Sequence, residues 1–485
     1  MRKLVFLFLS LFAFCTASAQ VTTSSMSGRV ADTDGQPIIG ATIVAVHTPT
    51  GTQYATASTR NGQFNLGGMR VGGPYDVEVS FIGCNTEKIE GIYLTIGEEA
   101  TLDFVLREDS QSIGEVVVVG KANPVFNANR TGAQEVVTLE MMEKLPTTSR
   151  SLDEFVKLTP MSSGKNFAGT SYRFNNVTVD GASFNNSFGL SSALGAQGTE
   201  PISLESIEQV QVMIAPYDVR NGGFTGGGIN SVTKSGTNEW HASAYMYTKS
   251  PELQGRRVRD YVGQVSEFSN RQYGVSLSGP IVKNKLFFFV NGELDRQDEP
   301  ISNRLADSRV SAADLDDLAK FLGDQFNYNP GGYDLSKTET RADRLTARID
   351  WNINDRNTFS LKYYYLKSYN TNAPSTSGAP ANGRGPNAYA MPFSSSYYRT
   401  NNNFNIVMAD WNSTINDHMS NTLKVGYSRL RDYRDMDGGF FPQVDILKDG
   451  SSYTVFGTEA NSYNNQLDTD IFQIQDNFTM NYGRH

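Results

Sequence analysis

The chain has 485 residues, a formal net charge of −9, 44 glycines, 28 phenylalanines and 23 tyrosines. The acidic balance argues against nucleic acid as a partner, because a phosphate-binding protein needs a basic face. The four histidines are scattered without metal-ligand spacing, so no metal and no cofactor is predicted. Many aromatic residues and glycines, without an apolar run of about 18 residues after the N-terminus, favour an all-β chain.

Residues 1–19 have the pattern of a secretory signal peptide. Arg2 and Lys3 supply positive charge, residues 4–14 form an apolar run, and small residues at 17 and 19 frame a cleavage site. The run is too short to span a membrane as a helix. We expect cleavage between Ala19 and Gln20. Cys84 is then the only cysteine of the mature chain, and we interpret it as a small buried apolar residue.

Residues 20–107 predict a small β-sandwich. Apolar and polar side chains alternate with a period of two at 75–81 and 102–107, and turn signals such as Asp34-Gly35 and Asn61-Gly62 separate the strands. The runs 27–41 and 60–64 resemble the carboxypeptidase-regulatory-like domain, a prealbumin-like sandwich that is not catalytic. An exported peptidase is the weakest functional hypothesis, because no zinc-protease ligand set accompanies the domain.

The linker 108–120 contains four consecutive valines. Such a segment could add to the sheet edge of a partner through main-chain hydrogen bonds. It could equally be the last strand of the sandwich or the first strand of the next domain. The stretch resembles the "EVVVVG" box that TonB captures in TonB-dependent transporters. The resemblance implies contact with TonB, and indirectly with ExbB and ExbD, at Glu115, Val116, Val117, Val118 and Val119.

Residues 121–237 resemble the α+β plug domain of that family, with short helices expected at 141–146 and 151–158. The resemblance rests on the order of three stretches, at 174–186, 204–212 and 221–238. The plug motif that it implies comprises Val179, Asp180, Gly181, Glu205, Ile207, Gly222, Gly226, Gly227, Gly228, Thr233, Lys234 and Gly236. The glycine run lacks the Gly-Lys-Ser/Thr ending of a phosphate loop. We expect its glycines to allow tight turns and close approach between plug and barrel wall.

The amino-acid sequence of the plug is similar to that of the Oar-like branch of the family, which is related to the SusC and RagA type. The Tyr-Gly step found in many members after the stretch at 204–212, including the glycan-importing SusC type, is replaced by residues 214–222. Carbohydrate binding therefore stays one of several open ligand classes.

Residues 238–485 predict an antiparallel transmembrane β-barrel. Leu345, Ala347, Ile349 and Trp351 alternate with polar neighbours, which is typical of a barrel wall. Strands are expected near 239–248, 270–279, 285–295, 342–352, 357–367, 402–412, 420–432 and 469–481. Short and long connections alternate between them, as periplasmic turns and extracellular loops do, whereas a soluble sandwich has no reason to sort its loops this way.

Two local features lie within this region. Trp240, Trp351 and Trp411 fall at strand ends, where they could anchor the barrel in outer-membrane lipid or serve as ordinary core residues. In the second long connection, Ser311 precedes a helical pattern that places Leu315, Leu318 and Leu322 on one face.

Eight strands are too few to enclose the plug, because plugged transporters have about 22. We therefore expect an N-terminal fragment that holds about eight of 22 barrel strands. The predicted function is a non-enzymatic TonB-dependent receptor that imports a glycan, peptide or metal chelate into the periplasm. The alternative is a surface receptor, adhesion protein or assembly scaffold of the outer membrane without import. A surface lipoprotein partner would favour import.

Overall fold

The computed structural model describes residues 21–108, 116–119 and 133–480, except 146, 148–149, 165, 186–198, 217–219, 264, 302 and 417. The predicted signal peptide with its cleavage site at Ala19 and Gln20, as well as Glu115, lies outside the described residues. Of Val116–Val119 only the backbone is described.

The N-terminal domain is the predicted sandwich. Its strands are β1 (Ser24–Ala31), β2 (Thr42–His47), β3 (Thr52–Ala57), β4 (Gln63–Met69), β5 (Gly72–Ser80), β6 (Glu87–Leu94), β7 (Glu99–Thr101) and β8 (Phe104–Val105). One sheet has the order β4-β1-β7, with β8 also on β1, and the other has the order β3-β2-β5-β6. The predicted alternation is confirmed, because Tyr75, Val77 and Val79 are fully buried in the core between the sheets. Cys84 is only half-buried, so its interpretation as a buried residue was wrong in degree.

The four-valine segment forms β9 (Val116–Val119), which extends the second sheet of the sandwich beyond β6. The two strands are parallel, with Glu87 opposite Val116 and Glu90 opposite Val119. Of the placements that the sequence left open, the last strand of the sandwich is the one observed. Within the described residues, β9 is the edge strand of its sheet.

The plug domain contains a five-stranded sheet and two short helices. Its elements are β10 (Ala133–Thr138), α1 (Leu139–Lys144), α2 (Leu152–Val156), β11 (Ser162–Ser163), β12 (Asn166–Phe167), β13 (Asn176–Val179), β14 (Ala182–Ser183), β15 (Ile207–Ala215) and β16 (Gly228–Thr233). The sheet order is β10-β15-β16-β13-β14. Both helices occur close to their predicted positions.

The C-terminal region forms one antiparallel sheet of eight long strands, which we call the wall. Its strands are β17 (His241–Lys249), β20 (Ser269–Val282), β21 (Leu286–Pro300), β22 (Lys337–Asn354), β23 (Asn357–Asn372), β24 (Tyr398–Asn416), β25 (Met419–Asp435) and β28 (Gln466–Met480), with β18 (Arg257–Val258) and β19 (Tyr261–Val262) in the first long connection. All eight predicted strands are present. Within the described residues the sheet is open, with β17 and β28 at its edges.

The wall is polar on its inner face and apolar on its outer face. Arg348 and Asp350 are 8% and 1% exposed, whereas Ile349 and Trp351 between and beside them are 42% and 40% exposed. A water-soluble sheet would bury the apolar set, so this pattern is that of a membrane wall. Phe359 lies opposite both Trp351 and Trp411 in the neighbouring strands, which creates an aromatic band near the short turns.

The three longer connections, 301–336, 373–397 and 436–465, pack together at one end of the wall. They include α3 (Ala312–Phe326) and the hairpin β26 (Val444–Lys448) and β27 (Ser451–Phe456). Leu315, Leu322, Phe393 and Phe456 lie in their shared core, which we call the loop body. The predicted helix is confirmed, but the Ser311 side chain makes no capping hydrogen bond.

The sandwich lies at the opposite end of the wall, beside its short turns. Thr52 accepts a hydrogen bond of 2.8 Å from Asn352, which lies just before the turn between β22 and β23. We call this end the turn side and the other the loop side. Among the described residues, no helix is long and apolar enough to cross a membrane.

Candidate functional site: a charged interface between plug and wall

Asp180 is the centre of the contact between plug and wall. It follows the buried strand β13 in a left-handed conformation, with a φ of 52°, and Gly181 continues the turn with a φ of 87°. Its side chain is completely buried. Thr233, at the end of the neighbouring strand β16, donates a hydrogen bond of 2.5 Å to Oδ2, and the Tyr364 hydroxyl of the wall donates to the same oxygen. The plug turn is therefore bonded both within its own sheet and to the wall.

The wall places several ionised side chains around this carboxylate. Lys362 Nζ lies 3.5 Å from Asp180 Oδ1 and 2.5 Å from Asp410 Oδ2. Arg348 donates to Thr233 O at 2.7 Å and, through Nε and Nη2, to Asp350 at 2.8 Å. We call this set the Asp180 cluster; it consists of Asp180, Arg348, Asp350, Lys362, Asp410 and Lys424.

Cross-strand register explains why these residues meet. Arg348 lies directly opposite Lys362, and Asp410 directly opposite Lys424, on adjacent wall strands. Alternate residues of a strand point to the same face, so each of these side chains points inward. The three carboxylates and three cations are equal in number, and buried charges are tolerated when they are paired in this way.

The ionisation of Asp180 follows from this setting. Burial raises the pKa of the carboxyl, but Lys362 and Arg348 lower it by more, and the hydrogen bonds from Thr233 and Tyr364 act in the same direction. The net result is a pKa below the usual range of an aspartate. Asp180 is therefore charged at neutral pH and attracts the two wall cations.

A cavity of about 130 Å³ adjoins the Asp180 cluster on the turn side. Its lining includes Arg70 of the sandwich, Asp180 and Thr233 of the plug, and Arg348 and Asp410 of the wall. A polar cavity of this size has room for several water molecules. The three domains thus meet around one polar cavity.

A second polar contact joins the plug to the first wall strands. Arg344, which is 4% exposed, donates to Glu293 at 2.6 Å and to the backbone oxygen of plug residue Glu200 at 2.7 Å. Ser203 of the plug and Tyr245 of β17 each donate a bond of 2.7 Å to Glu293 Oε2. The plug is therefore held at two separate places on the wall.

The predicted plug residues divide between this interface and the plug interior. Asp180, Thr233 and Gly181 lie at the Asp180 cluster, while Val179 and Ile207 are buried in the core shared by plug and wall. Glu205 accepts a 2.6 Å bond from Arg150, whose guanidinium lies 3.7 Å from the centre of the Tyr247 ring. Lys234 is half-buried, and its amide donates to Ser206 O.

The predicted close approach of glycines to the wall does not occur at residues 222 and 226–228. A Cβ on Gly226, Gly227 or Gly228 would meet other plug residues, and one on Gly222 would meet nothing within 4 Å. Close approach to the wall occurs at Gly236 instead, where a Cβ would lie 2.4 Å from Phe288 O and 2.8 Å from Gly279 O. The glycine after the run is the one that lets the plug pass against the barrel backbone.

The sequence interpretation did not identify the cations of the interface. Arg348, Lys362, Lys424 and Arg344 occupy inward positions of strands that were otherwise predicted correctly. Long basic side chains at inward positions of three predicted strands, β22, β23 and β25, were the available signal. The sequence does not show which of them face one another, because that depends on the register between strands.

The fold and this site define an outer-membrane barrel protein with an internal plug, and comparison with known proteins agrees. Residues 25–107 match the carboxypeptidase regulatory-like domain, and residues 232–330 and 300–485 match the outer membrane beta barrel domain. The two matches to the outer membrane beta barrel domain together cover residues 232–485, which is more than half of the chain. This chain belongs to the family defined by the outer membrane beta barrel domain, and its similarity to TonB-dependent receptors supports a receptor of that class.

Individual relatives support the same assignment. The chain is 26% identical over 276 residues to the TonB-dependent transporter Oar of Myxococcus xanthus, covering 52% of this chain and 25% of that protein. It is 31% identical over 180 residues to the TonB-dependent receptor SusC of Bacteroides thetaiotaomicron, covering 37% of this chain and 15% of that protein. These matches span a quarter or less of either relative. Both are named as a transporter or a receptor, in agreement with the non-enzymatic prediction.

Among solved structures, the outer membrane transporter YddB from Escherichia coli is similar in fold. The TM-score is 0.50 at 14% identity, and the match covers 72% of this chain and 45% of that chain. The predicted fold class, an all-β chain with a partial barrel, is confirmed. The total of 22 strands stays a prediction.

Proposed function

We propose that the protein imports a ligand across the outer membrane and that TonB supplies the energy. The observation that carries the proposal is the charged contact between plug and wall around Asp180. Charged groups regain hydration when they separate, whereas apolar surfaces gain nothing from water. Plug and wall also share an apolar core. The charged contact, which lies beside a cavity of about 130 Å³, is the part of the interface that water can replace when the plug moves and that can re-form when it returns.

TonB would act on residues Glu115 to Val119. We infer that β9 is captured by β-strand addition, since it is the edge strand of its sheet. The energy would come from the inner membrane through ExbB and ExbD. In this arrangement the turn side faces the periplasm, where short barrel turns belong, and the sandwich is periplasmic. The signal peptide would direct export and be cleaved between Ala19 and Gln20.

The ligand would bind on the loop side. The loop body supplies an ordered surface there, including the exposed rings of Phe440 and Tyr463, whose centres are 5.4 Å apart. Exposed aromatic rings suit a sugar, a peptide or an aromatic metal chelate, so we infer a nutrient of one of these kinds as the ligand. A surface lipoprotein that delivers the ligand would dock at the same end.

The test compares two seven-residue replacements in the full-length protein. In one variant residues 114–120 become a Gly/Ser linker, and in the control residues 124–130 become the same linker. We expect the first replacement to abolish energy-dependent accumulation of labelled maltooligosaccharides, mixed peptides or ferric siderophores, whichever the parent takes up. It should also abolish binding of the purified C-terminal domain of TonB. Unchanged accumulation in the first variant would refute import driven through this segment.

A scaffold or adhesion function is the second candidate, and one observation favours it. Phe326, Phe440 and Tyr463 of the loop body are 58%, 82% and 53% exposed. Large exposed aromatic side chains are typical of protein-binding surfaces. Replacing these three residues by serine would disrupt cell contact but not uptake if adhesion is the main role, and would reduce uptake if they bind a transported ligand.

A further inference from the structure

The sandwich covers the turn side of both the plug and the wall. On the wall, Arg70 Nη2 lies 3.4 Å from Asp350 Oδ1, and Thr52 accepts a hydrogen bond of 2.8 Å from Asn352. A third contact joins the sandwich to the start of the wall, because the amide of Asn238 donates to Pro49 O at 2.8 Å. These contacts come from two different turns and one strand end of the sandwich, so the domain is attached at several points.

The attachment to the plug is equally specific. Gln209 of β15 donates to Leu94 O at 3.0 Å and accepts from the amide of Ile96 at 3.0 Å. Gln211, two residues along the same strand, donates to Ile96 O at 3.2 Å. The side-chain amides of β15 therefore bind the backbone of residues 94–96, at the end of β6.

A small apolar cluster accompanies these bonds. It consists of Val71 and Ile96 of the sandwich with Val136 and Val232 of the plug, all buried. Val136 belongs to β10, which is the edge strand of the plug sheet and the first described plug element after β9. The sandwich therefore packs on the plug strand that a pull from β9 reaches first along the chain.

The sandwich lines the cavity beside the Asp180 cluster on the turn side. Thr22, His47, Tyr54 and Arg70 line it from that domain. If the sandwich moved away, the cavity and the charged side chains of Arg348 and Asp350 would open toward the turn side. The sandwich thus lies over the polar junction of plug and wall.

Chain length decides which domain a pull on β9 reaches first. Seven residues, 109–115, connect β9 to the sandwich, and thirteen, 120–132, connect it to β10. Fully extended, these connections can reach at most about 25 Å and about 45 Å. The connection to the sandwich becomes taut first. The pairing of β9 with β6 transmits load to the same domain even before that.

We propose that the sandwich is a latch on the turn side, and that traction on β9 detaches it from plug and wall before the plug itself moves. The inference rests on the proposed capture of residues 115–119 by TonB. The latch gives the N-terminal domain a mechanical function: it keeps the junction closed at rest and converts a pull on one strand into exposure of the Asp180 cluster. Its mostly polar contacts allow reversible release, since water replaces them.

The test holds the latch shut with a covalent bridge. Thr52→Cys and Asn352→Cys are combined in the full-length protein, with Cys15 and Cys84 replaced by serine, and joined by a disulfide or a short bifunctional thiol reagent. The protein is placed in a supported bilayer and pulled through the purified C-terminal domain of TonB on a force probe. Single variants Thr52→Cys and Asn352→Cys, treated identically, are the controls.

We expect an early low-force extension in the unbridged protein and in both single variants. The bridge should reduce the fraction of traces with this step at least tenfold, and cleavage of the disulfide should restore it. In the unbridged background, Arg70→Ala should lower the force of the step, whereas Arg60→Ala, at an exposed position of the same domain, should not.

Three outcomes are distinguishable. Loss of the early step on bridging supports the latch. Identical traces with and without an intact bridge overturn it, even though TonB still grips the chain. Failure of the TonB domain to hold the wild type, or equal holding when residues 114–120 are replaced, refutes the proposed capture and the latch with it.

Discussion

The guanidinium of Arg70 lies 3.4 Å from the carboxylate of Asp350, which joins the N-terminal sandwich to the barrel wall. The same carboxylate accepts two bonds from Arg348, and Arg348 in turn bonds the plug at Thr233 O. Three domains thus share one chain of charged contacts. Because Asp350 is 1% exposed, its partners matter more than those of a surface ion pair.

Arg70→Met should weaken attachment of the sandwich while leaving its fold intact, because Arg70 lies outside the buried core of that domain. Loss of a largely buried charged contact costs about 2 kcal/mol. Amide exchange in the full chain measures this: the amide of Ile96, bonded to Gln209, should exchange about 30-fold faster. Arg60→Met is the control at an exposed position and should change nothing. Unchanged exchange at Ile96 would show that the pair does not hold the domain.

Asp180→Asn should loosen the plug from the wall. Asparagine accepts the left-handed φ of 52° and has nearly the same shape, so the change removes mainly charge. Lys362 and Arg348 then lose a buried counter-ion, at a cost of about 3 kcal/mol. Faster amide exchange in β13 and β16 should report the loss. Because the native pKa of Asp180 is lowered, its contribution is present at neutral pH and disappears as pH falls through that pKa.

The matched control for this change is Asp343→Asn, also on an ion-paired aspartate. Asp343 pairs with Arg296 at 2.5 Å, but its side chain is 43% exposed. Exposed pairs contribute about 0–1 kcal/mol. Equal effects of the two substitutions on exchange in β13 and β16 would argue that the Asp180 cluster does not fasten the plug.

The wall could be predicted from sequence because its signal is local. Alternation at Leu345 to Trp351 indicates both the strand and its inward face, and the same holds for β23 and β25. The wall strands were predicted too short: β24 spans Tyr398–Asn416, against a predicted 402–412. Beyond the apolar band the alternation of apolar and polar residues fades although the hydrogen-bonded ladder continues, so the pattern cannot mark where a strand stops.

Partners that depend on distant chain segments could not be predicted. Four valines predict a strand at Val116–Val119, but pairing with Glu87–Glu90 depends on the placement of the whole sandwich. Likewise Lys362 and Asp180 meet only through the docking of the plug on the wall. The motif at 174–181 contains Asp180, while its basic partners required the three-dimensional register.

The sandwich should lose stability in mild acid because of His47. Burial, followed by the nearby charge of Arg70, lowers the pKa of His47 to about 3, from an ordinary value of 6.5. Below about pH 6.5, His47 is protonated in the unfolded chain but stays neutral in the folded chain. The free energy of unfolding is therefore highest above that pH and decreases as the pH falls toward 3. At pH 5 the loss is about 2 kcal/mol. Amide exchange of β2 in the full chain, corrected for intrinsic rates, measures it.

His47→Gln separates this effect from general acid sensitivity. Glutamine can replace the 2.7 Å hydrogen bond between His47 Nδ1 and Thr50 Oγ1 but does not titrate in this range. The variant should therefore show a flatter stability profile between pH 7 and pH 4. A slope equal to that of the wild type would assign the acid response to other groups.

Gly236→Ala should impair the junction between plug and wall. The added Cβ would lie 2.4 Å from Phe288 O, and neither this backbone atom nor Gly279 O at 2.8 Å can move without disturbing the wall. Strain of this kind costs about 1–3 kcal/mol. Gly222→Ala is the control, since a Cβ there meets nothing within 4 Å. The amount of folded protein recovered from outer membranes should fall several-fold for Gly236→Ala but not for Gly222→Ala. Equal recovery of the two variants would mean that the wall backbone shifts to accommodate the added Cβ.

Val117→Pro should prevent capture of β9 by TonB. Proline removes a main-chain donor and cannot take part in a central strand pairing, whereas Val117→Thr keeps both the donor and a β-branched side chain. If strand addition provides the affinity, the proline variant should bind the purified C-terminal domain of TonB at least tenfold more weakly, a change of about 1.4 kcal/mol or more. The threonine variant should bind within about twofold of the wild type. Equal loss in both variants would instead assign recognition to the valine side chain, and with it a pocket on TonB rather than a shared sheet.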